Sequence, residues 1–281
     1  MKTMKIAIIG LGLIGGSLAK AFKTCGGHEV YGFDTDAAAT AYANLSEAID
    51  GTLDDERLHE CGLVILALYP HAAIRYLTEK APLLQTGTLV LDTCGTKREI
   101  CAAGFALAAR YGFTFVGGHP MAGTQFSGIK YSRADLFCGA SMILVPPPPG
   151  DIALLARLKS LFVPLGFEGI TVTTAEKHDE IIAFTSQLAH IVSSAYVKSD
   201  TAKLHHGYSA GSYKDMTRVA TLNAEMWTEL FMENRDNLVH ELDSIIASLT
   251  DYRAALAEND GSRLSALLCE GTQAKAAIDG K

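Results

Sequence analysis

The residue of this chain best suited to proton transfer is His119, set in Gly117-Gly118-His119-Pro120-Met121-Ala122-Gly123-Thr124. Imidazole changes charge near neutrality, which makes histidine the commonest general acid or base. Glycine accepts torsion angles that other residues refuse, while proline fixes its own φ and lacks an N–H. Such punctuation around a titratable ring suggests an aimed side chain, held in the loop that follows the strand-like run Phe113-Thr114-Phe115-Val116. The bland alternative is a turn that happens to contain a histidine. The choice between them depends on the company His119 keeps.

That company begins at residue 6. Lys5-Ile6-Ala7-Ile8-Ile9 is a short apolar run of the kind found in buried parallel strands. Gly10-Leu11-Gly12-Leu13-Ile14-Gly15 follows at once and runs into the helical stretch Gly16 to Phe22. In the dinucleotide-binding fingerprint Gly10 makes the tight turn, Gly12 lets the backbone approach a pyrophosphate, and Gly15 lets helix pack on strand. The N–H groups of the first helical turn, at Leu13 and Ile14, would bind the phosphates with the positive end of the helix dipole. A second strand, Glu29 to Phe33, ends in Asp34, roughly 20 residues beyond the glycines. A carboxylate there accepts hydrogen bonds from both hydroxyls of the adenosine ribose and repels a 2′-phosphate. Residues 34–40 offer no arginine to such a phosphate, so the expected cofactor is NAD rather than NADP. Asp34 as an ordinary turn former before Thr35-Asp36 is the competing reading.

These groups need a scaffold, and the first half of the chain supplies one. Strand-like runs at Leu63 to Leu68, Thr88 to Asp92, Phe113 to Val116 and Ser141 to Val145 alternate with helical stretches such as His71 to Lys80 and Arg98 to Ala109. This alternation predicts a doubly wound α/β sheet of parallel strands with helices on both faces. The run Pro146 to Pro149 reads as a stiff loop, followed by an amphipathic helix (Asp151 to Phe162) and an edge strand (Gly169 to Thr173). From about Ala175 strand signals stop, and helical patterns cover Glu176 to Ser199, Asn223 to Leu249 and Asp251 to Cys269. We expect a Rossmann-type dinucleotide domain over 1–174 and an all-helical domain over 175–281 that helps bind substrate. Its several apolar faces predict a homodimer built on that half. In open α/β sheets ligands sit beyond the carboxyl ends of the strands, so the loops Asp92 to Lys97 and the one holding His119 are expected to border the site.

Composition narrows the class. With 281 residues, 48% of them hydrophobic, the chain has ample core for two domains. A formal charge of −7 and the lack of a basic run argue against a nucleic-acid partner. No apolar segment reaches the 18 to 20 or so residues of a membrane span, and no signal-like leader precedes the first strand. The six cysteines show no C-x-x-C pair, so we expect free thiols, no zinc or other metal, and a cytoplasmic location.

The ordered set of motifs resembles the prephenate dehydrogenase family, which includes arogenate and cyclohexadienyl dehydrogenases. The residues that carry the resemblance are Gly10 to Ser17, Gly118 to Gly123, His178-Asp179, Ser186-Gln187-Leu188-Ala189-His190, Thr217-Arg218 and Glu225-Met226-Trp227. The resemblance implies NAD-dependent oxidative decarboxylation of prephenate to 4-hydroxyphenylpyruvate, in tyrosine biosynthesis. It implies that His119 accepts the proton or hydrogen bond of the ring hydroxyl as hydride departs. It makes Arg218 the substrate-binding arginine, able to grip a carboxylate with two parallel hydrogen bonds, and His190 a pocket histidine. The structural alternatives are an Arg218 paired with Asp215 and a His190 satisfied on an apolar helix face. His178 either orients its helix start through Asp179 or caps it.

The departures from the family are informative. A serine common in the family aligns with Gly95, leaving adjacent Thr96 or a water to take its place beside the catalytic histidine. Ser186-Gln187 replaces a serine–histidine pair. Relatives often carry an acidic residue where this chain has Gln125; a neutral amide removes the attraction for the ammonium of arogenate and can donate to the keto oxygen of prephenate. Prephenate is therefore the expected substrate, with arogenate or dual specificity as the alternative. A β-hydroxyacid dehydrogenase would need a lysine followed four residues later by asparagine, but Lys177 is followed by Ile181 and Lys198 by Ala202. A catalytically silent NAD-binding sensor is the reading from a different class.

Overall fold

The structure, a computed structural model, describes residues 3–124 and 126–280; Gln125 lies outside the described residues. Eight strands form a single sheet: β1 (Lys5–Ile9), β2 (Glu29–Phe33), β3 (Gly51–Thr52), β4 (Leu63–Leu66), β5 (Leu89–Asp92), β6 (Thr114–Pro120), β7 (Ser141–Val145) and β8 (Gly169–Val172). Their order is β3-β2-β1-β4-β5-β6-β7-β8. Helices α1 (Leu13–Gly26), α2 (Ala37–Leu45), α3 (Asp55–Glu60), α4 (Pro70–Lys80), α5 (Arg98–Tyr111) and α6 (Ile152–Phe162) connect these strands.

The central strands have no polar alternation because both of their faces are covered. Ile6 and Ile8 point into one core with Leu18 and Phe22 of α1 and Leu158 of α6. Ala7 and Ile9 point into the other, with Leu77 of α4 and Ile100 of α5. Full burial of an aliphatic side chain stabilises by about 1.5–3 kcal/mol, so these two cores dominate the energetics of the sheet. The chain winds outward from β1 through β2 to β3, then restarts on the other side at β4. Strand order thus reverses between β1 and β4, and a ligand crevice opens at that point beyond the strand ends.

Two expectations need correction. The sheet is not parallel throughout: β7 pairs antiparallel with β6, and β8 runs parallel to β7 at the edge. A parallel return requires a crossover element, whereas the described residues between 121 and 140 hold only the short 3-10 turn Ile129–Tyr131. His119 is also not in a loop. Strand β6 continues through Pro120, pairing Gly118 with Leu144 and His119 with Ile143. Gly117 and Gly118 are needed for close approach, not for a left-handed turn. A Cβ at Gly117 would lie 2.5 Å from Cys101 Sγ, and one at Gly118 would lie 2.5 Å from the Asp92 carbonyl.

Beyond β8 the chain is helical: α7 (Ala175–Ile182), α8 (Ala189–Tyr196), α9 (Gly211–Thr217), α10 (Ala224–Glu233), α11 (Arg235–Ala257) and α12 (Gly261–Ile278). A π-helical segment, Ala183–Leu188, joins α7 to α8. The single helix expected over Asn223 to Leu249 is broken at Asn234, and the stretch Asp251 to Cys269 is divided between α11 and α12. The break has a polar cause. Fully buried Asn234 donates from Nδ2 to the Asp179 carbonyl and to Gln187 Oε1, both at 2.8 Å, which anchors the junction against α7 and the π-segment. Asp260 starts α12 by accepting the N–H of Arg263.

Candidate active site

The glycine loop after β1 has the form a dinucleotide requires. Gly10 holds a φ of +89°, and a Cβ there would stand 2.3 Å from the Ala67 carbonyl oxygen. A Cβ at Gly15 would be 1.9 Å from the Gly10 carbonyl oxygen, so only glycine lets α1 seat this close to β1. Gly12 is different: nothing lies within 4 Å of its Cβ position, which leaves open space over the backbone. No side chain caps α1, so the first-turn N–H groups around Leu13 and Ile14 remain available to an anion. Asp34, at the end of β2, accepts the Leu11 N–H through Oδ2 at 2.7 Å and the Asp36 N–H through Oδ1 at 2.8 Å. Its carboxylate is thereby fixed at the lip of the loop, and this cradle fits NAD.

The other strand ends on this edge of the sheet build the chemical centre. Asp92 closes β5, buried, and its Oδ1 accepts the N–H of Gly118 at 3.1 Å. Its Oδ2 accepts the N–H of Cys94 at 2.8 Å and forms a fully buried ion pair with Lys97 Nζ. Burial lowers the Lys97 pKa, but the Asp92 carboxylate, with smaller contributions from Cys94 and Cys101, more than offsets it and holds the ammonium above the usual lysine value. The residue preceding His119 is thus tied to the β5 loop by a buried, charge-reinforced hydrogen bond. Removing one partner of the buried Asp92–Lys97 ion pair costs about 3–5 kcal/mol.

His119 does not stand alone. Its Nδ1 lies 2.9 Å from Nε2 of His178 on α7, and His178 Nδ1 lies 2.7 Å from Asp179 Oδ1. An ionised carboxylate can only accept, so His178 carries its hydrogen on Nδ1 and its Nε2 is an acceptor. His119 must then donate from Nδ1, which leaves the lone pair of its Nε2 free. Asp179 also accepts the N–H groups of Lys97 at 2.8 Å and Arg98 at 3.0 Å, serving as an anionic cap on α5. Burial pushes the Asp179 carboxyl up, but the hydrogen bonds from His178, Arg98 and Lys97 together hold it below the usual carboxylate range. Burial, with smaller contributions from His178 and Lys97, drives His119 well below an ordinary histidine. The ring is a neutral base at neutral pH.

The β5 loop holds a second group, turned another way. Buried Thr96 donates its hydroxyl to Glu233, the last residue of α10, and is not hydrogen-bonded to His119. The substitute for the family serine is therefore engaged elsewhere. At Gly95 a Cβ would meet both methyls of Leu230 at 3.2 Å, so a serine there would require this α10 leucine to shift by a few tenths of an ångström.

On α8, His190 donates from Nδ1 to the Ser186 carbonyl at 2.8 Å and its ring sits 4.0 Å from that of Trp227. Burial lowers its basicity; the Ser186 contact opposes this, and the positive charge of Arg218 adds to the lowering, so His190 and Arg218 share one electrostatic neighbourhood. Arg218 is exposed at the end of α9, and among the described residues its guanidinium makes no ion pair within 4.0 Å. Pairing with Asp215 is not what holds it. Gln187, where the family has histidine, is buried in a structural role, donating to the Leu230 carbonyl at 3.1 Å and accepting from Asn234. The residue that sequence reasoning undervalued is His178, and its signal was the acidic neighbour at a helix start.

Comparison with known proteins gives these contacts a setting. Residues 18–170 match the family described as prephenate dehydrogenase, nucleotide-binding domain, and residues 174–270 match prephenate dehydrogenase, dimerization domain. A cyclohexadienyl dehydrogenase of Zymomonas mobilis is 31% identical, over 97% of this chain and 95% of its own. The prephenate dehydrogenase of Aquifex aeolicus, solved with hydroxyphenyl propionate and NAD+, is 28% identical with a TM-score of 0.81, covering 99% of both chains. The arogenate dehydrogenase of Synechocystis is 27% identical with a TM-score of 0.81, covering 98% of this chain and 100% of its own.

Proposed function

The chain belongs to the prephenate dehydrogenase family, and from that premise we propose that it converts prephenate to 4-hydroxyphenylpyruvate by NAD-dependent oxidative decarboxylation in tyrosine biosynthesis. The observation that carries this reading is the Asp179–His178–His119 relay, which presents a neutral nitrogen base on the same edge of the sheet as the glycine loop. Bound NAD supplies the acceptor for the hydride that leaves the ring carbon bearing the hydroxyl.

The residues of the chain do the rest. His119 Nε2 accepts the hydrogen bond of that hydroxyl and then its proton, so the ring oxygen becomes a carbonyl. The imidazolium formed is stabilised through His178 by the Asp179 carboxylate. The ring carboxylate leaves as carbon dioxide, and the bonding pair it leaves behind flows through the ring to the oxygen, making the ring aromatic. His119 returns its proton to that oxygen. Arg218, without an ion pair among the described residues, binds a substrate carboxylate, and His190 lines the pocket beside it.

We divide the chain into a dinucleotide domain over 1–174 and a helical domain over 175–281, the cut falling at Thr174, whose side chain caps α7. A homodimer through the helical half is supported by the dimerization description of that family match and by a row of exposed apolar residues on α11, Val239, Ile246, Leu249 and Leu256. A cytoplasmic location accords with six free cysteines. Among the described residues, no helix is long and apolar enough to cross a membrane.

The test is NADH absorbance with purified protein, offered prephenate or arogenate with NAD or NADP. The expected result is turnover with prephenate and NAD. A protein that binds NAD yet reduces none with either substrate would overturn the reading in favour of a silent NAD-binding protein.

A further inference from the structure

We propose that His71, Glu229 and Glu233 form a zinc site that clasps α4 of the sheet to α10 of the helical half. His71 is the second residue of α4, next to the strand reversal between β1 and β4. Glu229 and Glu233 are four residues apart on α10 and so share one face of that helix. One ligand atom from each of the three residues lies within 4.8 Å of the others. Tetrahedral zinc with bonds of about 2.1 Å sets its ligand atoms roughly 3.4 Å apart, a gap that side-chain rotation can close. His71 Nδ1 is 3.3 Å from Glu229 Oε1, and His71 Nε2 is 3.5 Å from Glu233 Oε1. Glu229 Oε1 also accepts the backbone N–H of His71 at 2.7 Å, which orients the carboxylate. Glu99 Oε2, 3.8 Å from His71 Nε2, or a water can complete the shell.

A second observation points to a ligand. The Glu233 side chain is only 4% exposed; one oxygen takes the Thr96 hydroxyl, while the other, Oε1, is buried without a hydrogen-bond partner among the described residues. Leaving a buried acceptor unsatisfied is costly, and the cost is greater when the group is charged. Three carboxylates around one imidazole are short of positive charge, and a dication supplies it. One nitrogen with two carboxylate oxygens is a donor set that zinc accepts. The ion would be structural, joining the crevice wall at α4 to the helix that touches the β5 loop through Thr96.

The experiment is calorimetric titration of the chelator-treated full chain with zinc chloride, beside His71→Asn, Glu229→Gln and a His205→Ala/His206→Ala control that removes the neighbouring imidazole pair elsewhere. One zinc per chain is expected, weakened about tenfold or more in each site variant and unchanged in the control. Cobalt should give the visible absorption of tetrahedral coordination in the parent chain and lose it in His71→Asn. His71 is exposed, so its replacement leaves the fold intact. No zinc uptake, or uptake undiminished in both site variants, would overturn the site.

Discussion

His119 Nδ1 and His178 Nε2 stand 2.9 Å apart, and because Asp179 holds the other nitrogen of His178, this contact fixes which nitrogen of His119 is free to react. The base is thus set by a chain of hydrogen bonds that begins at a carboxylate on α7 and ends on a strand of the sheet. Replacing His178 by asparagine should lower kcat by roughly 10²–10⁴, the usual range for a positioned acid or base. Asp179→Asn should do the same and also loosen α5, whose first N–H groups it caps. Steady-state kinetics with NAD affinity measured separately will decide. A rise in KM with kcat intact would make His178 a packing residue instead.

Much of this site was readable from residue types, and the unread parts share a physical reason. The glycine loop and Asp34 are local: their spacing alone dictates turn, cradle and lip, and the structure has all three. His119 was found for its neighbours, yet Gly117 and Gly118 serve close packing against Asp92 and Cys101, which are far away in sequence. The same is true of Thr96. Its nearness to Gly95 in sequence suggested a substitute hydroxyl, but α10 brings Glu233 to it across 137 residues. Asn234 interrupts a helix expected to run from Asn223 to Leu249, because its buried amide has partners on α7 and the π-segment. Pairings made across long sequence separations leave no local spacing to read.

The pH dependence has a definite sign. Burial first, then His178 and Lys97, lowers the His119 pKa well below its ordinary value of 6.5. The neutral ring is the working form, so base function is present above the lowered pKa and is lost as pH falls through it. The acid limb of kcat/KM assigned to this base should therefore lie well below 6.5, with a plateau through neutrality. A limb at or above 6.5 that disappears in His119→Asn would contradict this assignment.

Arg218 is expected to act on binding more than on chemistry. A charge-assisted hydrogen-bonded contact contributes about 1.5–3 kcal/mol, so Arg218→Ala should raise the KM for prephenate by roughly 10- to 150-fold. Lysine should restore only part of the loss, since an ammonium cannot reproduce the planar fork. NAD affinity should not change. Equal losses in substrate and cofactor binding would mean that the variant had disturbed the fold.

Substrate choice is expected to depend on the charge at Gln125, which lies outside the described residues. A carboxylate at this position attracts the ammonium of arogenate and repels the electron-rich pyruvyl group of prephenate. Gln125→Glu should move the ratio of kcat/KM values towards arogenate, by about tenfold for each 1.4 kcal/mol of added interaction. Competition assays with both substrates give the ratio directly. An unmoved ratio would remove the electrostatic account of specificity.

The contact between Gly95 and Leu230 offers the sharpest structural test. Restoring the family serine places a Cβ 3.2 Å from both leucine methyls, closer than side chains ordinarily pack. Gly95→Ser alone should destabilise by about 1–3 kcal/mol through overpacking. Leu230→Ala alone should cost about 2–5 kcal/mol, because Leu230 is buried on the face of α10 that meets this loop. If the serine and the leucine compete for one volume, the double variant must cost less than the sum of the singles, by about 0.5–3 kcal/mol. Urea unfolding of the four proteins measures that coupling. Strict additivity would show that the missing serine and Leu230 are unrelated, and that the glycine at position 95 has another cause.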